Sequence, residues 1–248
     1  MTIFISAGPG TASHSLVSRL ERIFNTKRNT HKLGNGSGNI VAGFDKKSFL
    51  KYLYLSVLFK KKIIHQHFFP TEYNLNFIDK YYGLDKTNFI ITYRNIFDTI
   101  KNMIKWKLKR KHTPLSFRTK EFEPYDIFNS KEYELNLLDV VLIINFYALW
   151  LKINQEKLIK NMIFLNFEDI VRNDNDLSST LSDFLKKKIT LDNHISENLW
   201  EKSDIKISKN LEEFIYMYCK SFSDIDFSLI GIKMINFYFQ TYGIYLIS

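Results

Sequence analysis

The chain has 248 residues, of which 45% are hydrophobic, and it carries a formal net charge of +9. This size and apolar content are sufficient for one domain with a large buried core, and the single cysteine, Cys219, excludes a disulfide-stabilised scaffold. The positive charge suits an anionic ligand, but lysine and arginine are scattered along the chain, so nucleic-acid binding is not expected.

No signal peptide or transmembrane segment is expected. Residues 2–7 are apolar but too short for a signal sequence. The most apolar run, 137–151, contains Asp139 and Asn145 and is shorter than the roughly 20 residues that cross a bilayer. The sequence therefore predicts a buried helix at 137–151 and a soluble, cytoplasmic protein.

The first predicted elements are a buried strand over residues 3–7, a Gly-rich loop and a helix. The loop begins with Gly8-Pro9-Gly10, and from Leu16 to Phe24 apolar residues recur at helical spacing, with a polar face that carries Arg19, Glu21 and Arg22. A loop between a strand and a helix is typical of phosphate binding, because backbone N–H groups and the helix N-terminus face the phosphate oxygens.

Only part of the Walker pattern is present in this loop. That pattern has a glycine, four residues, a second glycine, a lysine and then Ser or Thr. Gly8 and Ser15 match it, whereas Ser13 and His14 replace the second glycine and the lysine. A strand–helix turn that binds no ligand is the alternative interpretation.

Further elements follow in alternation. Apolar runs near 62–68, 88–93 and 162–167 predict three more buried strands. Helices are predicted over 46–58, 72–81, 96–109, 134–159, 177–187, 209–221 and 226–238. This alternation predicts a three-layer α/β/α fold with a central parallel sheet and a P-loop-like phosphate-binding loop. The basic, aromatic segment 105–133 is predicted to be a lid or substrate-binding insertion in a single domain over residues 1–248.

Two of the predicted strands end in residues suited to catalysis or anion binding. Arg94 follows the strand 88–93, where open α/β sheets bind ligands, and its guanidinium suits a phosphate. An Arg94–Asp98 pair that caps the next helix is the alternative. His65 and His67 share one strand face and favour acid–base chemistry, with buried structural histidines or a metal site as alternatives.

In this order, these features resemble the sulfotransferase family that uses 3′-phosphoadenosine 5′-phosphosulfate. Residues 10–16 stand in place of the family's phosphosulfate loop, and His67 with Pro70 matches its histidine-bearing strand. Arg94-Asn95, with an acid four positions after the arginine, is similar to its 3′-phosphate motif. Residues 164–171 match a strand that ends in Tyr-Glu-Asp-Leu in the family. The resemblance covers about residues 3–187.

The resemblance implies transfer of a sulfuryl group from 3′-phosphoadenosine 5′-phosphosulfate (PAPS) to an acceptor hydroxyl, with no metal. The basic, aromatic segment 105–133 would suit an anionic glycan, a lipid headgroup or an acidic peptide as the acceptor, with a sugar favoured. It implies catalytic roles for His67, His65 and His14, and an adenine contact from Phe167 or Trp106. The family's loop cation would fall at Thr11, so His14 or a lysine (Lys62 or Lys101) would replace it. The implied contacts to the nucleotide phosphates are Gly8, Gly10, Thr11, Ala12, Ser13, His14, Ser15, Arg94 and Asn102.

Two other functions stay open. A small-molecule kinase would use Glu168-Asp169 for Mg²⁺, although His14 stands where its lysine is expected. A nucleotide-binding protein with impaired catalysis on the same scaffold is favoured by Thr11, because charge that develops on the leaving oxygen needs an electrophilic partner. The sequence predicts neither the acceptor's identity nor the oligomeric state.

Overall fold

A computed structural model of the chain describes residues 1–8, 10–26, 62–66, 69–110, 128–129, 134–135, 137–172, 175–191 and 206–232. The chain divides into two compact units: unit 1 comprises Met1–Arg94 and Ile153–Glu201, and unit 2 comprises Asn95–Lys152 and Lys202–Ser248. The single domain over residues 1–248 stays a prediction, and the helix predicted over 46–58 lies outside the described ranges.

The described ranges contain six strands and seven α-helices. The strands are β1 (Thr2–Ala7), β2 (Ile63–Gln66), β3 (Thr87–Tyr93), β4 (Phe128–Asn129), β5 (Glu134–Leu135) and β6 (Met162–Asn166). The helices are α1 (Ser13–Ile23), α2 (Glu72–Tyr82), α3 (Ile96–Arg110), α4 (Leu137–Gln155), α5 (Phe167–Arg172), α6 (Asn175–Leu185) and α7 (Lys209–Lys220).

Unit 1 is built on a parallel sheet of β1, β2, β3 and β6 in the order β2-β1-β3-β6. The register places Ile5 of β1 opposite His65 on one side and Ile90 on the other, and Thr92 opposite Leu165. β1 is buried along almost its whole length, as expected for the near-continuous apolar strands of a parallel sheet. The predicted α/β fold with a central parallel sheet is therefore confirmed.

The two faces of this sheet carry different side chains, because successive residues of a strand point to opposite sides. One face, here called the α1 face, contributes a row of aliphatic residues to a core shared with α1 and α6; its strand residues are Ile3, Ile5, Ile63, Ile90 and Leu165. The opposite face carries Phe4 and Phe89, whose ring centroids lie 5.6 Å apart. His65 on β2 and Thr92 on β3 extend the α1 face towards the carboxyl ends of the strands.

Arg19 and Glu21, which the sequence places on a polar face of α1, are buried, since they are only 1% and 6% exposed. Nη2 of Arg19 donates a hydrogen bond of 2.6 Å to the carbonyl of Ile170 in α5. Carbonyl groups in the last turn of a helix lack partners within the helix and favour a cation. The burial of Arg19 thus depends on α5, a helix that the sequence analysis did not predict.

Several element ends also differ from the prediction. The strand predicted to run through Phe167 ends at Asn166, whose Oδ1 accepts a 3.0 Å hydrogen bond from Glu168 N–H and so starts α5. The helix predicted over 226–238 is wrong for residues 226–232, which form one 3₁₀ turn, Ser228–Ile230. Gly231 closes that turn with a φ of +86°. Residues 233–238 lie outside the described part of the chain.

Unit 2 contains α3, α7 and most of α4. Asn95 starts α3, because its Oδ1 accepts hydrogen bonds from the N–H groups of Phe97 and Asp98 at 2.9 and 3.5 Å. The hydroxyl of Tyr218 on α7 donates to Oδ1 of Asn145 on α4 at 3.1 Å. No helix of the described ranges is both long and apolar enough to cross a membrane.

The predicted insertion at 105–133 is described only at its ends. α3 extends into the segment as far as Arg110. Near the other end, β4 lies within the segment and pairs antiparallel with β5, which directly follows it. Residues 111–127 and 130–133 lie outside the described ranges, so the lid or substrate-binding role stays a prediction.

Candidate functional site

Hydrogen bonds fasten the loop after β1 to β3. Gly8 N–H donates to the carbonyl of Thr92 at 3.3 Å. Oγ1 of Thr11 donates to the carbonyl of Gly8 at 2.8 Å and lies 2.6 Å from Oγ1 of Thr92. Because the one hydroxyl proton of Thr11 goes to the Gly8 carbonyl, Thr92 must be the donor between the two hydroxyls. Thr11 is only 1% exposed, so its side chain serves the loop itself.

The loop turns into α1 through two residues in the left-handed region. Gly10 has a φ of +68°, which glycine adopts freely, and Ala12 has a φ of +56°. The left-handed conformation costs a residue such as alanine roughly 1–2 kcal/mol. The carbonyl of Ala12 accepts from the N–H groups of Ser15 and Leu16 at 3.0 and 3.2 Å, so α1 begins directly at the loop. The positive end of the helix dipole therefore faces the loop.

Few of the loop's side chains reach the surface. Gly10 and His14 are exposed and Ser15 is half-buried. The remaining described loop residues, Gly8, Thr11, Ala12 and Ser13, are buried. A phosphate at this loop would therefore meet mainly backbone groups and the side chains of His14 and Ser15.

His65 reaches the loop from β2. Its Nε2 lies 3.0 Å from Oγ of Ser13, and its ring stands at 81° to the ring of His14 with centroids 4.7 Å apart. His65 is 3% exposed, whereas His14 is exposed. The structure thus brings together two of the three predicted catalytic histidines and Ser13. The third, His67, lies outside the described residues.

Arg94 lies at the carboxyl end of β3 with its side chain 12% exposed. Its guanidinium carbon is 3.9 Å from the centroid of the Phe167 ring, and its Nε is 3.7 Å from Oε1 of Glu168. That separation is too long for a hydrogen bond, and the buried Nε has no hydrogen-bond partner among the described residues. A buried guanidinium Nε–H without a hydrogen-bond partner is unfavourable, so this arrangement suits an anion that Arg94 would bind.

The residues around Arg94 hold it in place. Glu168 is positioned by the cap from Asn166 at the start of α5. Phe167 is 4% exposed and supports the guanidinium, which covers one face of its ring. The pKa of Tyr93 is raised by burial and by the charges of Asp169 and Glu168, although a hydrogen bond to Asn166 opposes the shift. The Tyr93 hydroxyl therefore stays protonated at neutral pH.

The site lies where sheet topology favours a ligand. The chain passes from β1 to β2 on one side of β1, and from β3 to β6 on the other side. In open α/β sheets such a reversal leaves a crevice at the carboxyl ends of the two strands between which it occurs. The loop after β1 and Arg94 after β3 are the residues that flank this crevice.

Other predicted residues lie elsewhere. The carbonyl of Lys62 accepts a 2.7 Å hydrogen bond from Ile3 N–H at the amino edge of the sheet. The loop begins five residues after Ile3, or about 16 Å along a strand, so Lys62 cannot replace the loop cation. Asn102 lies on α3 in unit 2, where Lys101 pairs with Asp98 at 3.6 Å. The Trp106 side chain lies outside the described part of the structure.

The alternative role for Arg94, as half of an Arg–Asp helix cap, is not what the structure contains. Asn95 caps α3, Asp98 pairs with Lys101, and the acid beside Arg94 is Glu168. The contact of Thr92 with Thr11 and the stacking of Arg94 on Phe167 are not predicted from the sequence, because both depend on pairing between distant strands. No protein-family model matches the chain, and no curated protein matches it significantly.

Proposed function

We propose that unit 1 binds a nucleotide that carries phosphate on both its 3′ and 5′ positions, and that the chain is a sulfotransferase that uses PAPS. One observation carries the proposal: Arg94 is largely buried at the carboxyl end of β3, and its Nε has no hydrogen-bond partner among the described residues. The sequence resemblance gives the same arginine the 3′-phosphate. The loop after β1 is the second anion-binding element.

The two phosphates would meet different groups. The 5′ end would lie against the loop, where α1 begins and where His14 and Ser15 reach the surface. The 3′-phosphate would accept hydrogen bonds from Arg94, whose flat guanidinium is fixed on Phe167. Asn102 stays a predicted contact from the resemblance alone.

The proposed chemistry is a direct in-line transfer. The acceptor oxygen forms a bond to sulfur while the bond from sulfur to the bridging phosphate oxygen breaks. The proton of the acceptor hydroxyl passes to a histidine, and 3′-phosphoadenosine 5′-phosphate leaves with the bonding electrons. His65 is 3% exposed and in contact with Ser13, which favours a role in holding the loop. His67 therefore remains the favoured base, and a sugar hydroxyl remains the favoured acceptor.

A second candidate function is nucleotide binding without transfer. Thr11 stands at the expected loop cation, and its hydroxyl is committed to Gly8 and Thr92. That commitment favours a site that holds the nucleotide but stabilises the leaving oxygen weakly. The kinase alternative is less well supported, because the Glu168 carboxylate that would hold Mg²⁺ pairs with Arg94.

A thermal-shift comparison tests the binding proposal. The protein is heated with 3′-phosphoadenosine 5′-phosphate, with 5′-AMP, or with ATP and Mg²⁺, each at the same concentration. Stabilisation grows as RT ln(1 + [L]/Kd), which is about 2.7 kcal/mol at a hundredfold excess over Kd. We expect the bisphosphate to raise Tm the most, and a preference for ATP would contradict the proposal.

Transfer is tested separately by incubating the protein with the sulfate donor and a panel of hydroxyl-bearing acceptors. Sulfated product together with bisphosphate binding supports the sulfotransferase. Bisphosphate binding without any sulfated product, over a panel that includes sugars and phenols, supports the second candidate.

A further inference from the structure

The loop after β1 contains no lysine or arginine. Its residues run from Gly8 to Ser15, and the only side chain among them that titrates is that of His14. Thr11 cannot assist, because its hydroxyl is buried and bonded within the protein. A phosphate that binds to this loop carries up to two negative charges, so positive charge from a loop side chain has to come from His14.

His14 is placed so that its charge depends on the ligand. It is exposed and is the second residue of α1, at the positive end of the helix dipole. The partial positive charge at this end of the helix disfavours the protonated form of His14 when no anion is present. A phosphate at the loop reverses the local field and favours the protonated imidazole, which can then donate hydrogen bonds from both of its nitrogens.

His65 holds the ring of His14 in position. The two rings are perpendicular with centroids 4.7 Å apart, a geometry that sets the positive edge of one ring against the electron-rich face of the other. His65 is itself fixed by Ser13, 3.0 Å from its Nε2. At 3% exposure His65 is enclosed by the protein, so its ring is a fixed surface against which the exposed ring of His14 packs.

Among the described residues that follow β3 and start α5, the charged groups offset one another. Arg94, directly after β3, and Glu168 on α5 pair at 3.7 Å. Asp169 is exposed, and Tyr93 stays protonated because its pKa is raised. Of the described groups at this edge, His14 is therefore the one whose charge can change when an anion binds to the loop.

We propose that His14 takes up a proton when a phosphate anion binds to the loop, and that His65 is the residue that positions it. This inference rests on the proposed anion site but not on sulfuryl transfer. It assigns the loop a cation that exists only while the site is filled.

The test is calorimetry of the full chain with 3′-phosphoadenosine 5′-phosphate at several pH values, in pairs of buffers with different ionisation enthalpies. The dependence of the observed heat on the buffer gives the number of protons taken up. Phosphate itself titrates near pH 6, so His14→Gln is the matched control that keeps every contribution except that of His14. We expect wild type to take up more protons than His14→Gln near pH 7, and its affinity to fall more steeply as pH rises.

The outcomes separate the inference from the proposed function. Equal proton uptake by wild type and His14→Gln, with the bisphosphate still bound, overturns the role of His14 and leaves the proposed function intact. Failure of wild type to bind the bisphosphate overturns both. His65→Gln should lower the proton uptake although His14 is present, and unchanged uptake in a folded His65→Gln protein overturns the positioning role. If His65→Gln does not fold, the comparison with His14→Gln still decides the main point.

Discussion

At the scale of single residues, the two hydroxyl groups of Thr11 and Thr92 connect the loop to β3. Thr11→Val leaves the Gly8 carbonyl and the Thr92 hydroxyl buried without their partner, which costs about 1–3 kcal/mol. Thr92→Val removes the same contact from the other side. We expect the double variant to be destabilised by less than the sum of the two single variants, as measured by urea unfolding.

Thr87 offers a matched control on the same strand. Its buried hydroxyl donates to the carbonyl of Gly83 at 2.8 Å, at the opposite end of β3. The loss of stability caused by Thr87→Val should therefore add to the loss caused by Thr11→Val, because distant sites without shared partners do not couple. Strict additivity of Thr11→Val and Thr92→Val as well would show that the two loop hydroxyls do not act together.

Residue types and strand ends allowed some of the site to be predicted. Arg94 and His65 follow apolar runs that are easily read as strands, and the structure places both at the carboxyl edge of the sheet. The role of Thr11 could not be predicted, because its partner Thr92 lies 81 residues away in the chain. That contact exists only because β1 and β3 are neighbours in the sheet.

At the scale of elements, the start of α3 depends on a glycine from another segment of unit 2. A Cβ added to Gly231 would lie 2.1 Å from Nδ2 of Asn95, the residue that caps α3, and the φ of Gly231 is +86°. Gly231→Ala should therefore lower the free energy of unfolding by about 2–3 kcal/mol, through backbone strain and loss of the cap. Chemical denaturation measures this change.

A substitution at Gly83 separates backbone strain from loss of the Asn95 cap. It also has a positive φ, of +74°, but an added Cβ would meet only the side chains of Asp85 and Lys86, at 3.0 Å or more. Gly83→Ala should therefore cost about 1 kcal/mol, mainly from backbone strain. An equal loss of stability in Gly83→Ala and Gly231→Ala would mean that the Asn95 cap does not depend on the close approach of Gly231.

Elements with a clear apolar pattern could be predicted, and short or capped ones could not. The strand over 88–93 and the helix over 72–81 lie within one residue of β3 and α2. α5 has only six residues and begins at the Asn166 cap, which a reading of hydrophobicity does not detect. Because α5 is not predicted, the burial of Arg19 is not predicted either: its guanidinium donates a hydrogen bond to the last turn of α5.

At the scale of the whole molecule, Cys219 is the single thiol and reports on unfolding. Burial raises its pKa from 9.0 to about 12. The thiol therefore loses its proton at a lower pH in the unfolded chain than in the folded one. Its contribution to stability is complete below pH 9 and is lost as pH rises from 9 towards 12. At pH 8 we expect an alkylating reagent to modify Cys219 only as fast as the structure opens, and rapid modification of the native protein would contradict its burial.

The α/β class could be predicted from alternating strands and helices, whereas the strand order could not. Each strand is recognised from its own residues, but the order β2-β1-β3-β6 depends on pairing between segments far apart in the chain. That order matters for the proposed site, because it sets the loop after β1 beside the end of β3. The site is thus a property of the sheet rather than of any one motif.

The most direct test of the central claim, that Arg94 recognises a 3′-phosphate, is calorimetric titration of wild type and Arg94→Ala with two ligands. Loss of a charge-assisted hydrogen bond should weaken binding of 3′-phosphoadenosine 5′-phosphate by roughly 10- to 100-fold. Binding of 5′-AMP, which lacks the 3′-phosphate, should change little. Arg94→Lys keeps the charge without the planar fork and should lie between the two. Equal losses for both ligands, or no loss for the bisphosphate, would contradict the account.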